Sequence, residues 1–297
     1  MTLPQRIAVT GASGLIGTAL IGHLKSEGHT VQKLVRRPVV SPDEIKWDPI
    51  AGTVDLAALE GIDAVIHLAG ANVGDKRWTK KYRAEILNSR LLGTTTISNA
   101  VNQVKPQVFI SASAIGWYGE TGNRAVTESD RPGDDFLAAV CKEWDAAADI
   151  ANSTRVVKIR TGLVLDPTGG ALGKMLPLFR FGLGGKLGNG KQWWSWITLH
   201  DQIRAMCYLL EKPIEGPVNL TAPNPATNQE FTAALARAMH RPALFPVPSL
   251  ALKIALGGFS TEILGSKKVL PTKLTDAGFN FDYPHIAPAL AELIDKD

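Results

Sequence analysis

RIAVTGASGLIG, residues 6–17, decides how the rest of the chain is read. A short β-branched apolar run, residues 7–10, breaks at Gly11, and an amphipathic stretch, residues 15–27, follows it. Gly11, Gly14 and Gly17 are spaced G-x-x-G-x-x-G between a strand and a helix. In that setting Gly11 permits the tight turn, Gly14 lets the backbone approach a pyrophosphate, and Gly17 lets helix and strand pack closely. Free amides at the helix start, around Ser13, Leu15 and Ile16, would then face the phosphates. A tight strand-to-helix turn without a ligand is the plainer alternative.

Outward from this unit the pattern repeats. Apolar β-branched runs at residues 30–35, 64–68, 108–111 and 156–159 are separated by stretches of helical periodicity, notably residues 80–101. Short, continuously apolar strands alternating with helices predict an α/β fold, a Rossmann-type doubly wound parallel sheet covered on both faces. After Thr161 the texture changes. Residues 166–190 are glycine-rich with a short helical reading at 172–181; such a loop either closes over a ligand or is a plain connector. A helix near His200, a strand at 218–220, a helix at 228–239 and a last helix from about Pro288 follow. The expected division is a dinucleotide-binding domain over 1–165 and a smaller C-terminal α/β substrate lobe over 166–297, with interleaving of segments allowed.

With 297 residues, 45% of them hydrophobic, the chain can bury a large core. Its two cysteines, Cys141 and Cys207, lack zinc-site spacing and suit a reduced, cytoplasmic protein without a metal. The start resembles no signal peptide, and no apolar run is long enough to span a membrane. The net charge of +4 suits anionic ligands, but the cations are scattered, which argues against nucleic acid. Monomer and homodimer are equally compatible with the sequence.

The second strand ends in Arg36 and Arg37, where an NAD-selective site usually offers a carboxylate to the ribose 2′-hydroxyl. Two cations suit a 2′-phosphate instead, so the expected cofactor is NADP(H); a solvated strand end is the alternative. Trp47 and Asp48 follow a third strand, near the expected adenine pocket. Asp48 suits either the adenine amino group or a turn before Pro49. In HLAGAN, residues 67–72, the small residues Leu68, Ala69 and Gly70 let the chain pass close to the pyrophosphate and ribose.

The glycine loop, DAVIHLAGAN, SASAIGWYG and IRTGLVLD together resemble the extended branch of the short-chain dehydrogenase/reductase superfamily, almost end to end. GGALGKMLPLFRFGLGG, QWWSWI and VLPTKLTDAGFNF resemble more narrowly its atypical "epimerase family" members, known as YfcH-like, which end in a domain of unknown function. The resemblance implies NADP(H) binding and a small-molecule substrate whose identity it leaves open, a nucleotide sugar being one candidate. It also implies a Tyr-x-x-x-Lys pair on one helix face as proton carrier. Here the corresponding helix, FLAAVCKEWDAAA, places Leu137 and Cys141 at those positions, and neither can do that work.

Ser113, at the position of the superfamily's Ser or Thr, and Tyr118, in the GWYG turn, are the substitutes to weigh, although a Tyr before Gly there is more often a packing residue in the superfamily it resembles. Lys142 is rotated by about 100° on the helix, out of the site. Arg90 with Glu85 on the long fourth helix, Ser111 at the strand end, and Arg160 before Thr161 complete the expected cofactor contacts, with an i,i+5 surface contact as the alternative for Arg90 and Glu85. Trp194 and Trp196 share one strand face and read either as a stacking surface for substrate or as core. His200 with Asp201 reads as a capped helix start. Two functions stay open: an NADP(H)-dependent oxidoreductase or epimerase-like enzyme with altered acid/base groups, and an inactive NADP(H)-binding sensor or scaffold.

Overall fold

A computed structural model describes residues 3–295. The strands are β1 (Arg6–Thr10), β2 (Thr30–Val35), β3 (Glu44–Asp48), β4 (Thr53–Val54), β5 (Ala64–His67), β6 (Val108–Ala114), β7 (Ala125–Val126), β8 (Arg155–Thr161), β9 (Leu163–Asp166), β10 (Trp193–Trp194), β11 (Trp196–Thr198), β12 (Gly216–Leu220), β13 (Ala226–Thr227) and β14 (Lys268–Val269). The helices are α1 (Leu15–Ser26), α2 (Lys80–Val104), α3 (Phe136–Ala148), α4 (Gly170–Arg180), α5 (Leu199–Glu211), α6 (Asn228–Ala238), α7 (Ser249–Leu256), α8 (Ser260–Leu264), α9 (Thr272–Asp276) and α10 (Ile286–Asp295). Short 3-10 turns lie at Ile115–Tyr118 and Gly257–Phe259.

Eight strands form one sheet in the order β12-β8-β6-β5-β1-β2-β3-β4, parallel except for the antiparallel edge strand β4. The strand order reverses between β1 and β5. This is the switch point beside which ligands of doubly wound sheets bind, and the glycine loop leaves β1 there. Alternating residues feed two cores. Ile7, Val9, Ile66, Ile110 and Ile159 pack with α1 and α5, while Ala8, Val65 and Phe109 pack with Ile97 and Val101 of α2 on the opposite face.

Side-chain caps set the helix starts. Thr79 accepts from the Tyr82 amide at 3.1 Å, and Asp135 accepts from Ala138 at 2.8 Å. Thr227 and Glu230 form a capping box on α6. A third core (Leu165, Leu172, Leu176, Phe179, Trp196, Phe231, Leu235 and Leu290) holds the smaller lobe. The division at residue 165 is crossed by the chain: β12 returns to pair with β8, and α5 packs on α1. Segments after 165 thus complete the sheet domain.

Candidate functional site

The glycine loop is sterically obligatory at two of its three positions. Gly11 has φ +69, and a Cβ there would lie 2.9 Å from the Leu68 carbonyl carbon; a Cβ at Gly17 would lie 2.2 Å from the Gly11 oxygen. Gly14 caps α1 with no side chain, and the first turn of α1 carries no acid. Ser13 and Gly14 are exposed, with Leu15 and Ile16 beside them. A helix start at the switch point with no side-chain cap and no acid in its first turn is electrostatically suited to an anion.

Thr10 fastens this loop to the end of β5. Its hydroxyl accepts from the Leu68 and Ala69 amides (3.0 and 3.2 Å) and lies 2.8 Å from His67 Nδ1. With both lone pairs taken, its proton goes to Nδ1, which fixes His67 as the neutral Nε2–H tautomer. His67 is fully buried, and burial pushes its pKa down to about 3. Trp47 meets this ring edge-on at 5.9 Å and is itself core. Trp47 therefore braces the sheet from within, and the expected adenine contact is not what it makes. Asp48 accepts from the Ile50 and Ala51 amides (2.9 and 3.1 Å), which realises the turn reading.

Arg36 and Arg37 are both exposed at the end of β2 but are not equivalent. Arg37 is held by Glu44, with Nη1 donating to Oε2 at 2.9 Å, and this partner raises its pKa. Arg36 has no carboxylate within 4.0 Å among the described residues, while its carbonyl accepts from the Lys46 ammonium. The expected pair of cations is thereby reduced to one free guanidinium.

Across the cleft, Arg90 of α2 donates through Nη1 to the Ala71 and Ile86 carbonyls (2.9 and 3.0 Å) and lies 4.7 Å from the Trp144 ring. A Cβ at Gly70 would lie 3.6 Å from its Cζ. Among the described residues no carboxylate pairs with Arg90, and burial lowers its pKa. Glu85 is not brought to this position: it is exposed and faces Lys76 at 3.6 Å.

Residues expected at the reaction end are turned inward. Ser113 donates to Asp145 at 2.6 Å, and Arg160 donates to the other oxygen of Asp145 at 3.0 Å and to the Tyr118 hydroxyl at 3.1 Å. Tyr118 in turn donates to Asn219 Oδ1 at 2.7 Å. The Arg160 guanidinium stacks 3.8 Å from the Trp117 ring centroid. All five network members are buried, and burial pushes the Tyr118 phenol up to about 12. Ser113 and Tyr118 are thus not free acid/base groups, and Arg160 points into the network. Ser111 is buried beside them, with only a long bond to the Ala112 carbonyl.

The 3-10 turn packs on Leu137 and Cys141: a Cβ at Gly116 would lie 3.2 Å from Leu137 Cβ and 3.5 Å from Cys141 Sγ. The Cys141 thiol is raised to about 12 by burial, and Lys142 is exposed on the outside of α3. Asp145, Trp117 and Asn219 were not singled out as site residues from the sequence. Asp145, an acid inside an apolar helix stretch, was the one visible signal.

Trp196 is fully buried, its indole donating to the Asn224 carbonyl at 3.2 Å, so it is core and not a stacking surface. Trp194, part-buried on the same face, donates to the Ile263 carbonyl at 3.2 Å and packs on Phe231. Thr198 caps α5 as the His200–Asp201 reading expects. Asp282 approaches both, and Arg204 already pairs with the two carboxylates, Asp201 (2.8 Å) and Asp282 (3.1 Å). The glycine-rich segment crosses the cleft: a Cβ at Gly169 would lie 3.2 Å from Leu15 Cδ1, and Lys174 reaches Asp75 at 3.8 Å.

Sheet order, glycine loop and a second lobe closing over the switch point define a Rossmann-type dinucleotide-fold protein of the extended kind. Residues 7–221 match the NAD dependent epimerase/dehydratase family, and residues 247–293 match a domain of unknown function, DUF1731. The chain is 42% identical to "Epimerase family protein ML0860" of Mycobacterium leprae, covering 96% of this chain and 94% of that protein. It is 36% identical to "Epimerase family protein SDR39U1" of Bos taurus, covering 98% and 100%. Among solved structures, human epimerase family protein SDR39U1, crystallised with NADPH, superposes with a TM-score of 0.91 at 34% identity, over 98% of this chain and 99% of that one. MoeE5 in complex with UDP-glucuronic acid and NAD shares the fold, with a TM-score of 0.77 at 20% identity over 98% of each chain. The protein belongs to the NAD-dependent epimerase/dehydratase family and carries a DUF1731 segment after it.

Proposed function

We propose that this protein binds NADP(H) along the switch-point crevice and works as an atypical short-chain dehydrogenase/reductase, oxidoreductase- or epimerase-like. Its substrate would be a small molecule of the nucleotide-sugar class, met in the cytoplasm by a monomer or homodimer. The observation that carries the cofactor reading is the free guanidinium of Arg36 at the end of β2, on the same sheet edge as the uncapped start of α1. The donor set fits the group: the amides around Ser13–Ile16 suit a pyrophosphate, Arg36 a 2′-phosphate, and Arg90 a polar acceptor beside Gly70. When bound, NADPH supplies hydride chemistry. The chain's own residues bind and orient it, while the start of α4, with Gly169 against Leu15, covers the glycine loop.

No phenol–ammonium pair serves as proton carrier. A second reading, a cofactor-dependent sensor or scaffold, is favoured by one observation: Ser113 and Tyr118 are both engaged inside the buried network. Fluorescence titration with NADPH and NADH is the test of the cofactor. We expect tighter NADPH binding, and Arg36→Ala to weaken NADPH roughly 10- to 100-fold while sparing NADH, as loss of a charge-assisted hydrogen bond implies. Equal losses for both cofactors would overturn the choice of NADP(H). Oxidation of NADPH in the presence of nucleotide sugars or carbonyl compounds then selects the enzyme reading, and binding without turnover selects the sensor.

A further inference from the structure

More than half of the large apolar side chains exposed among the described residues come from two segments, 178–183 and 244–254. Phe181 is 81% exposed, Leu244 73%, Leu250 67% and Ile254 66%. The segments that carry them are adjacent. The Gly188 amide donates to the Val247 carbonyl and the Val247 amide to the Lys186 carbonyl, each at 2.9 Å. A Cβ at Gly185 would lie 1.8 Å from the Phe245 oxygen. The apolar tips therefore form one ridge that runs from the end of α4 through residues 244–247 into α7.

Helix α7, SLALKIAL, has no buried residue and a single charge, Lys253. Leu250 and Ile254 are one turn apart and share a face. At its C-terminal end the chain meets a basic turn: a Cβ at Gly257 would lie 3.3 Å from Arg77 Nε, and one at Gly258 3.0 Å from Arg83 Nη2. Residues 75–85 carry five cations against two carboxylates, and Lys76, Arg77, Lys80, Lys81 and Arg83 are all exposed. An apolar ridge edged by cations is complementary to a phase that is apolar below and anionic at its surface. Projecting aliphatic and aromatic tips need no matching pocket in acyl chains, and the flanking lysines and arginines meet phosphates.

We infer that this ridge docks the protein on the surface of an anionic lipid bilayer, with α7 lying in the headgroup plane and the 76–83 turn on the phosphates. Among the described residues no helix is long and apolar enough to cross a membrane, so the attachment is peripheral. The inference is independent of the cofactor reading.

The test is flotation of the full chain with vesicles of phosphatidylcholine alone or mixed with phosphatidylglycerol. The expected result is binding to the mixed vesicles only, released by salt. Lys80→Glu with Lys81→Glu should weaken binding by at least roughly 25-fold, since each cation near such a surface contributes about fivefold. Leu250→Asp with Ile254→Asp should leave the protein unbound, and Ile50→Asp, on the turn after β3, should change nothing. Helical circular dichroism and the urea unfolding midpoint verify that each variant is folded. Binding to neither vesicle, or equal binding to both, overturns the proposal. So does a concentration-dependent dimer without vesicle binding that Leu250→Asp abolishes, because the ridge is then a contact between copies of the chain.

Discussion

Tyr118 shows how a residue type that suggests chemistry can serve a different purpose. Its hydroxyl accepts from Arg160 and donates to Asn219 and is buried, so its proton is committed and its oxygen is out of a substrate's reach. Tyr118→Phe should cost about 1–3 kcal/mol in urea unfolding, because Asn219 Oδ1 loses its donor, and should leave NADPH affinity unchanged. Breaking the buried Arg160–Asp145 pair should cost more, about 3–5 kcal/mol for Asp145→Ala. His67 gives the pH dependence. Its folded-state pKa, about 3, lies below the ordinary 6.5, so on acidification the unfolded chain takes up a proton that the folded chain refuses. Stability contributed by neutral His67 is complete above pH 6.5 and falls as pH drops toward 3, by up to about 1.4 kcal/mol per pH unit. Urea midpoints measured across that window should flatten in His67→Gln; an unchanged slope would assign the effect to other groups.

At the scale of elements, the loop–helix unit separates glycines that serve geometry from one that does not. A Cβ at Gly17 collides with the Gly11 carbonyl, whereas one at Gly22, in the same helix, meets nothing within 4 Å. Gly17→Ala should therefore disrupt the loop and abolish cofactor binding, while Gly22→Ala should raise stability by about 0.5–1 kcal/mol in thermal unfolding. This unit was the most legible part of the sequence, because strand, turn and helix each leave a local pattern and they agree. Arg37 was less legible. Its partner Glu44 stands on the neighbouring strand, and register between parallel strands is set by packing that no local spacing records. The same reason hid the inward turn of Ser113 and Arg160, whose shared partner, Asp145, comes from a helix packed on the sheet. Trp47 read as an adenine contact, and Trp196 as either stacking surface or core, for want of one fact, which side of the chain the core lies on.

Considered whole, the molecule closes its cleft with light fastenings. The Lys174–Asp75 contact is long and exposed at both ends, and such pairs are worth under about 1 kcal/mol. Lys174→Glu should thus leave the unfolding midpoint nearly unchanged, yet speed NADPH dissociation in stopped-flow displacement as α4 opens more readily; an unchanged rate would remove α4 from cofactor retention. The doubly wound class was readable from alternating strands and helices. The place where the sheet ends was not, because a five-residue strand after a long excursion carries no mark of its partner. That return of β12 to β8 has a consequence for biosynthesis. Seven of the eight sheet strands emerge from the ribosome before residue 166, but β8 stays an open edge until residues 216–220 follow. A nascent chain of intermediate length presents the backbone beside Val157 and Ile159 to any other strand within reach, so its hazard during synthesis is self-association, relieved when Gly216–Leu220 arrives to seal the edge.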